Sequence, residues 1–185
     1  IGPGLSQQVD LMGDFWQSFK VPVIGPSTTK PKLVCGKDFF ARISASGLWY
    51  VTEAVEEAYQ SLTNVNVAKV IIAFAQDDEF TNAESAIFRN YVTDAAMQQT
   101  YNFVGDYPYQ INDPATIANL DNRLAEIAAD IYTANPDIII ISGLTRDGAA
   151  LIKALRAAGY TKPIVGGNGL NTPYIFNGCT GDCRD

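Results

Sequence analysis

VAKVIIAFAQDDEF, residues 67–80, decides the fold. Its first part, VAKVIIAFA, is apolar except at Lys69 and shows no alternation of apolar and polar positions. A strand of that kind is buried on both faces, as in a parallel sheet with helices on either side. The polar QDDEF that follows marks its end. A second run of the same character, DIIIISG, occupies residues 137–143.

The chain between and around these runs alternates in period. A helix is expected from about Asn82 to Gln98, then an extended TYNFVGDYPY. Asp113-Pro114 supplies an N-cap acceptor and a first-turn proline, and Ile117, Leu120, Leu124, Ile127 and Ile131 follow as a core stripe. Asn135-Pro136 ends that helix. Thr145 is expected to cap RDGAALIKALRAAG, which Gly159 stops, and PIVGGNG gives a further strand and its turn. The order is β-α-β-α-β-α-β, an open, doubly wound α/β sheet. Upstream, SQQVDLMGDFWQSF carries Val9, Met12, Trp16 and Phe19 at helical spacing, and VPVIG and FFARISASG read as short extended segments. Val51, Ala54, Val55, Ala58, Tyr59 and Leu62 mark another amphipathic helix.

Composition narrows the function. The 185 residues are 47% hydrophobic, enough for one core or two small lobes. A net charge of −7 leaves no basic face for nucleic acid. No apolar run approaches the roughly 20 residues of a membrane span. There is no histidine, which removes Ser-His-Asp and Cys-His catalysis and the commonest metal ligand. Of the three cysteines, Cys179 and Cys183 stand close enough in CTGDC for a local disulfide in an exported protein, or form a reduced pair; Cys35 is left over. These cysteines cannot complete a zinc site.

In doubly wound sheets ligands sit beyond the carboxyl ends of the strands. Those ends are IGPSTT, FAQDDEF, ISGLTRD and VGGNGLN. Ser27, Thr28 and Thr29 offer hydroxyls and backbone N–H groups where a helix can start, suited either to capping or to an anion. They do not form a nucleophile elbow. Asp77, Asp78 and Glu79 lack calcium-loop spacing and read foremost as a solvated loop. The glycines around Asn168 lack the Lys-Ser/Thr of a phosphate loop, so no nucleotide or other cofactor is expected. Arg146 is exposed charge or faces a cleft.

The strand ends, with IGPGLSQQV, VPVIGPSTTKPKL, NPDIIIISGLTRDGAALIKALRAAGY and PIVGGNGLNTP, resemble the extracellular solute-binding proteins of ABC transporters, of the leucine/isoleucine/valine-binding type. The matching stretches cover almost the whole chain in family order. The resemblance implies a two-lobed type I periplasmic-binding-protein fold with mostly parallel, doubly wound sheets. It places Ile1 inside the first lobe and Asp185 near the end of the second. The expected division is therefore a fragment, with partial lobe one over residues 1–45 and most of lobe two over residues 46–185. The lobe-one core is then expected to be unprotected.

It also implies a binding protein rather than an enzyme, periplasmic or extracellular, that captures a small carboxylate-bearing ligand and delivers it to a membrane permease. A sensory receptor domain of the same fold is the alternative. By position, Ser6, Ser27, Thr28 and Thr29 are implied to hold the carboxylate. Phe80, Leu144, Thr145 and Asn168 are implied to face it from lobe two, with no metal. Phe80 and Leu144 stand where the family often has tyrosine, and Asn168 where amino-acid binders often have an acid for the ammonium. The implied ligand is a hydrophobic amino acid or, favoured by these departures, an aromatic or aliphatic acid.

Overall fold

A computed structural model describes residues 1–173 and 175. The CTGDC pair, Cys179 and Cys183, lies outside them; Cys35 is exposed and makes no disulfide among the described residues.

The apolar run at 68–75 forms strand β3 (Ala68–Ala75), buried at every position but Lys69. Its pleat sends alternate side chains to opposite faces. Val70, Ile72 and Phe74 share a core with Val51 and Val55 of α2 (Gly47–Gln60) and Phe88 and Val92 of α3 (Glu79–Val92). Ile71, Ala73 and Ala75 share another with Leu124, Ile127 and Ile131 of α5 (Leu120–Ala134) and Leu151 and Leu155 of α6 (Thr145–Ala157). Strand β5 (Ile138–Ser142) divides its isoleucines between the same two cores. The absence of alternation in both runs thus follows from helices on both faces.

Strand β4 (Tyr101–Tyr109) and β6 (Ile164–Gly166) complete a four-stranded, all-parallel sheet in the order β4-β3-β5-β6. β4 is an edge strand, where Pro108 forfeits no ladder bond that a central strand would need. A register shift opposite Val70 and Ile71 skips Val104 as a bulge. The chain runs outward from β3 to β4, crosses back to β5, then goes outward to β6. The topological switch point therefore lies between the carboxyl ends of β3 and β5.

Element boundaries differ from expectation in particular places. Helix α3 begins at Glu79, not Asn82, because Asp78 accepts hydrogen bonds from the N–H groups of Phe80 and Thr81; it ends at Val92, and turns replace the expected stretch to Gln98. The single helix expected from Asp113 is broken: α4 (Pro114–Ile117) stops at Ala118 and α5 restarts at Leu120, leaving Ile117 outside the core stripe. Thr145 does not cap α6; Leu144 holds the cap position and Thr145 is the first helical residue.

The first 42 residues form a smaller unit. Helix α1 (Ser6–Phe19) packs on β1 (Val23–Gly25) and β2 (Phe40–Arg42), which pair in parallel. Its core is Val9, Trp16, Val23, Leu33 and Phe40, with Trp16 stacked on Phe40 at 5.9 Å. Met12 and Phe19, two members of the expected stripe, are exposed. No helix starts at 27–29; the chain passes instead into turns at 31–36. The segment leading into α2 grips this stretch by its carbonyls: the Arg42 guanidinium donates to Lys30 O, Ser44 Oγ to Thr28 O and Gly47 N–H to Thr29 O, at 2.9, 2.6 and 2.9 Å. No helix among the described residues is long and apolar enough to cross a membrane.

Candidate functional site

A cavity of about 430 Å³ opens between the two units. The smaller unit contributes Gly4, Leu5, Ser6 and Ser27. The larger one contributes Phe80 at the start of α3, Leu144, Thr145 and Arg146 at the start of α6, and Asn168, Gly169, Asn171 and Thr172 after β6. The larger unit's share lies at the carboxyl ends of β3, β5 and β6, where a doubly wound sheet presents its ligand site.

Of the residues singled out from sequence, Ser6, Ser27, Phe80, Leu144, Thr145 and Asn168 line this one cavity. Ser6 opens α1, and its Oγ accepts from Lys30 N–H at 3.3 Å. Thr145 Oγ1 donates to Gly169 O at 3.2 Å, tying α6 to the turn after β6. Thr28 and Thr29 stand behind the cavity rather than in it. Thr28 is fully buried, and its unpaired hydroxyl lies toward Gly25: a Cβ there would come within 2.6 Å of it. The hydroxyl of Thr29, a residue 3% exposed, has no well-formed hydrogen bond and lies beside the Tyr50 phenol.

Asp77 and Asp78, read in sequence as a solvated cluster, are spent on backbone. Asp77 accepts from Ile111 and Asn112 N–H groups, and Asp78 caps α3. Both fix the loop that delivers Phe80. Glu79 pairs across the units with Lys30 at 3.2 Å, and Lys30 also meets Asp10 at 2.5 Å. Among the described residues no cluster of His, Cys, Asp and Glu has the makings of a metal site.

Sequence reasoning missed the buried support behind Asn168. Glu84, on α3, is 2% exposed. Its carboxyl receives Tyr50 Oη at 2.6 Å and Asn168 N–H at 3.2 Å, and lies 2.9 Å from Ser142 Oγ. Burial pushes its pKa above the ordinary value, and these hydrogen bonds only partly oppose that. Gly167 is needed here, since a Cβ would fall 1.8 Å from Glu84 Oε2. A second buried acid, Asp147, receives Tyr109 Oη at 2.7 Å and Leu144 N–H at 3.2 Å, and so shapes the turn bearing Leu144 and Thr145. Burial raises its pKa too. Gly4, Leu5, Asn171 and Thr172 were also missed, because they carry no chemical signature and join the site only through topology.

No protein-family model and no curated protein matches the sequence. Solved structures do. A leucine-binding protein, LivK, from Thermotoga maritima superposes with a TM-score of 0.73 at 20% identity, over 96% of this chain and 46% of that one. The branched-chain amino acid transporter substrate-binding protein LivJ from Streptococcus pneumoniae, in complex with isoleucine, gives 0.73 at 20% identity over 97% and 46%. An ABC transporter substrate-binding protein from Desulfitobacterium hafniense, in complex with Leu, gives 0.64 at 18% over 89% and 45%. The chain thus spans a little under half the length of these neighbours. The parallel, doubly wound sheet, its switch-point cavity and these superpositions together give the chain the type I periplasmic-binding-protein fold of the leucine and branched-chain amino acid-binding proteins of ABC transporters.

Proposed function

We propose that this chain is the ligand-binding part of a solute-binding protein of an ABC importer, working outside the membrane and handing its ligand to a permease. In domain terms, residues 1–45 belong to one lobe and residues 46–185 to most of the other. The observation that carries the reading is the cavity lined from both units. A ligand there touches both, and so favours the arrangement in which both contacts are made. The ligand class is a small carboxylate with an apolar body. Ser6, Ser27 and the first N–H groups of α1, which has no side-chain cap and no acid in its first turn, suit a carboxylate. Phe80 and Leu144 suit the body. Among the described residues no carboxylate side chain lines the cavity to meet an ammonium.

Titration calorimetry with benzoate, phenylalanine and leucine tests this. Benzoate is expected to bind more tightly than either amino acid. Tight leucine binding without benzoate binding would overturn the ligand class, and no binding of any small acid would overturn the function.

A further inference from the structure

Arg146 is the one charged side chain lining the cavity among the described residues. We infer that it forms a second anion subsite, so that the ligand is a dianion: a dicarboxylic acid whose apolar spacer passes Phe80 and Leu144. This rests on the reading of the cavity as a carboxylate site and specifies its far end.

Arg146 is poorly placed for the protein's own stability. It is the second residue of α6, where the helix dipole disfavours a cation. Its side chain makes no hydrogen bond or ion pair with any described residue, in a chain with 20 acidic residues and a net charge of −7. The acids that flank or bond to cavity-lining residues are engaged elsewhere. Asp147, the next residue, turns inward to Tyr109 and Leu144 N–H; Asp78 accepts from Phe80 and Thr81; Glu84 faces Tyr50, Ser142 and Asn168. None of the three lines the cavity. A guanidinium left without a counter-ion at the mouth of a cleft is a ready bidentate partner for a carboxylate. Local placement that works against the fold is what a binding residue is expected to show.

The two ends then divide the ligand. Ser6 and Ser27, from the smaller unit, take one carboxylate through neutral donors. Arg146, from the larger unit, takes the other through charge. Between them the described residues offer an ammonium on the spacer only neutral oxygens, such as those of Asn168 and Asn171, and no carboxylate.

Calorimetry on the 185-residue chain with adipate, terephthalate, benzoate and leucine, repeated on Arg146→Gln, tests the assignment. The dicarboxylates are expected to bind roughly tenfold or more tightly than benzoate, the scale of a charge-assisted hydrogen-bonded pair, and to weaken with added salt. In Arg146→Gln that advantage should vanish, leaving the dicarboxylates no tighter than benzoate. Benzoate binding equal to that of the dicarboxylates, or a dicarboxylate preference that survives Arg146→Gln, would overturn the subsite and leave the carboxylate reading standing. Failure of every acid to bind would overturn both. Arg146 is exposed, so the substitution does not put folding at risk.

Discussion

Glu84 shows how burial and hydrogen counting favour one protonation state. Ser142 has one hydroxyl hydrogen but sits 2.7 Å from Thr81 O and 2.9 Å from Glu84 Oε2. A charged Glu84 has to share that one hydrogen with Thr81 O, whereas a protonated Glu84 can donate to Ser142 and free Ser142 to donate to Thr81. The burial-driven rise in the Glu84 pKa points the same way. Folded, the group then holds a proton that the unfolded chain loses at an ordinary carboxylate pKa of 4.5. Stability therefore falls as pH rises from that value through the folded pKa, and levels off above it. Asp147, raised likewise, adds a slope of the same sign. Glu84→Gln keeps a donor toward Ser142 and an acceptor for Tyr50 and Asn168, so it should hold near wild-type stability and shed its share of the slope. Glu84→Ala strands those partners and should lose roughly 2–4 kcal/mol. Urea unfolding across pH 4–8 checks both; an unchanged slope in Glu84→Gln would refute the protonated state. None of this was legible in NAESAIF, because Tyr50, Ser142 and Asn168 come from distant parts of the chain.

At the scale of elements, legibility tracked how strongly a segment is pinned by its own residues. The buried strands β3 and β5 announced themselves, and so did the stripe of α5, since burial there depends on one-dimensional pattern. Boundaries set by side-chain-to-backbone bonds did not. QDDEF reads as acid in solvent, yet Asp77 and Asp78 bind backbone across a loop and at a helix start. Thr145 looked like a cap, but the α6 turn is organised from within by Asp147. The hydroxyls of Thr28 and Thr29 are buried, and residues 42–47 hold the carbonyls of their stretch. Asp78→Ala should therefore cost about 1 kcal/mol, the usual worth of an N-cap, even though it removes negative charge from an acidic chain. It should also weaken ligand binding, because Phe80 rides on the capped turn. Thermal unfolding and calorimetry on the same variant read the two effects, and a gain in stability would refute the cap role.

At the scale of the molecule, alternation of strand and helix was legible, but the strand order that puts Phe80, Leu144 and Asn168 around one cavity was not written in any local pattern. Nor was the surface that the smaller unit presents. Leu11, Phe15 and Phe19 recur along α1 at four-residue steps and are exposed, with Phe15 and Phe19 in ring contact at 4.7 Å. Beyond β2, Ile43, Leu48 and Trp49 are exposed as well. Large apolar side chains exposed in adjacent turns, as on α1, are unusual on a monomer's surface. The two tryptophans report on it, because Trp49 is 76% exposed and Trp16 only 8%, under its stacked partner Phe40. Iodide should quench wild-type emission strongly and Trp49→Phe emission weakly, since the latter comes from Trp16 alone. Burial of the apolar surface by association would show as wild-type quenching that declines with rising protein concentration, by the hydrophobic term that any such contact gains. Equal quenching of wild type and Trp49→Phe at low concentration would mean that Trp49 does not face water and that the start of α2 is packed differently.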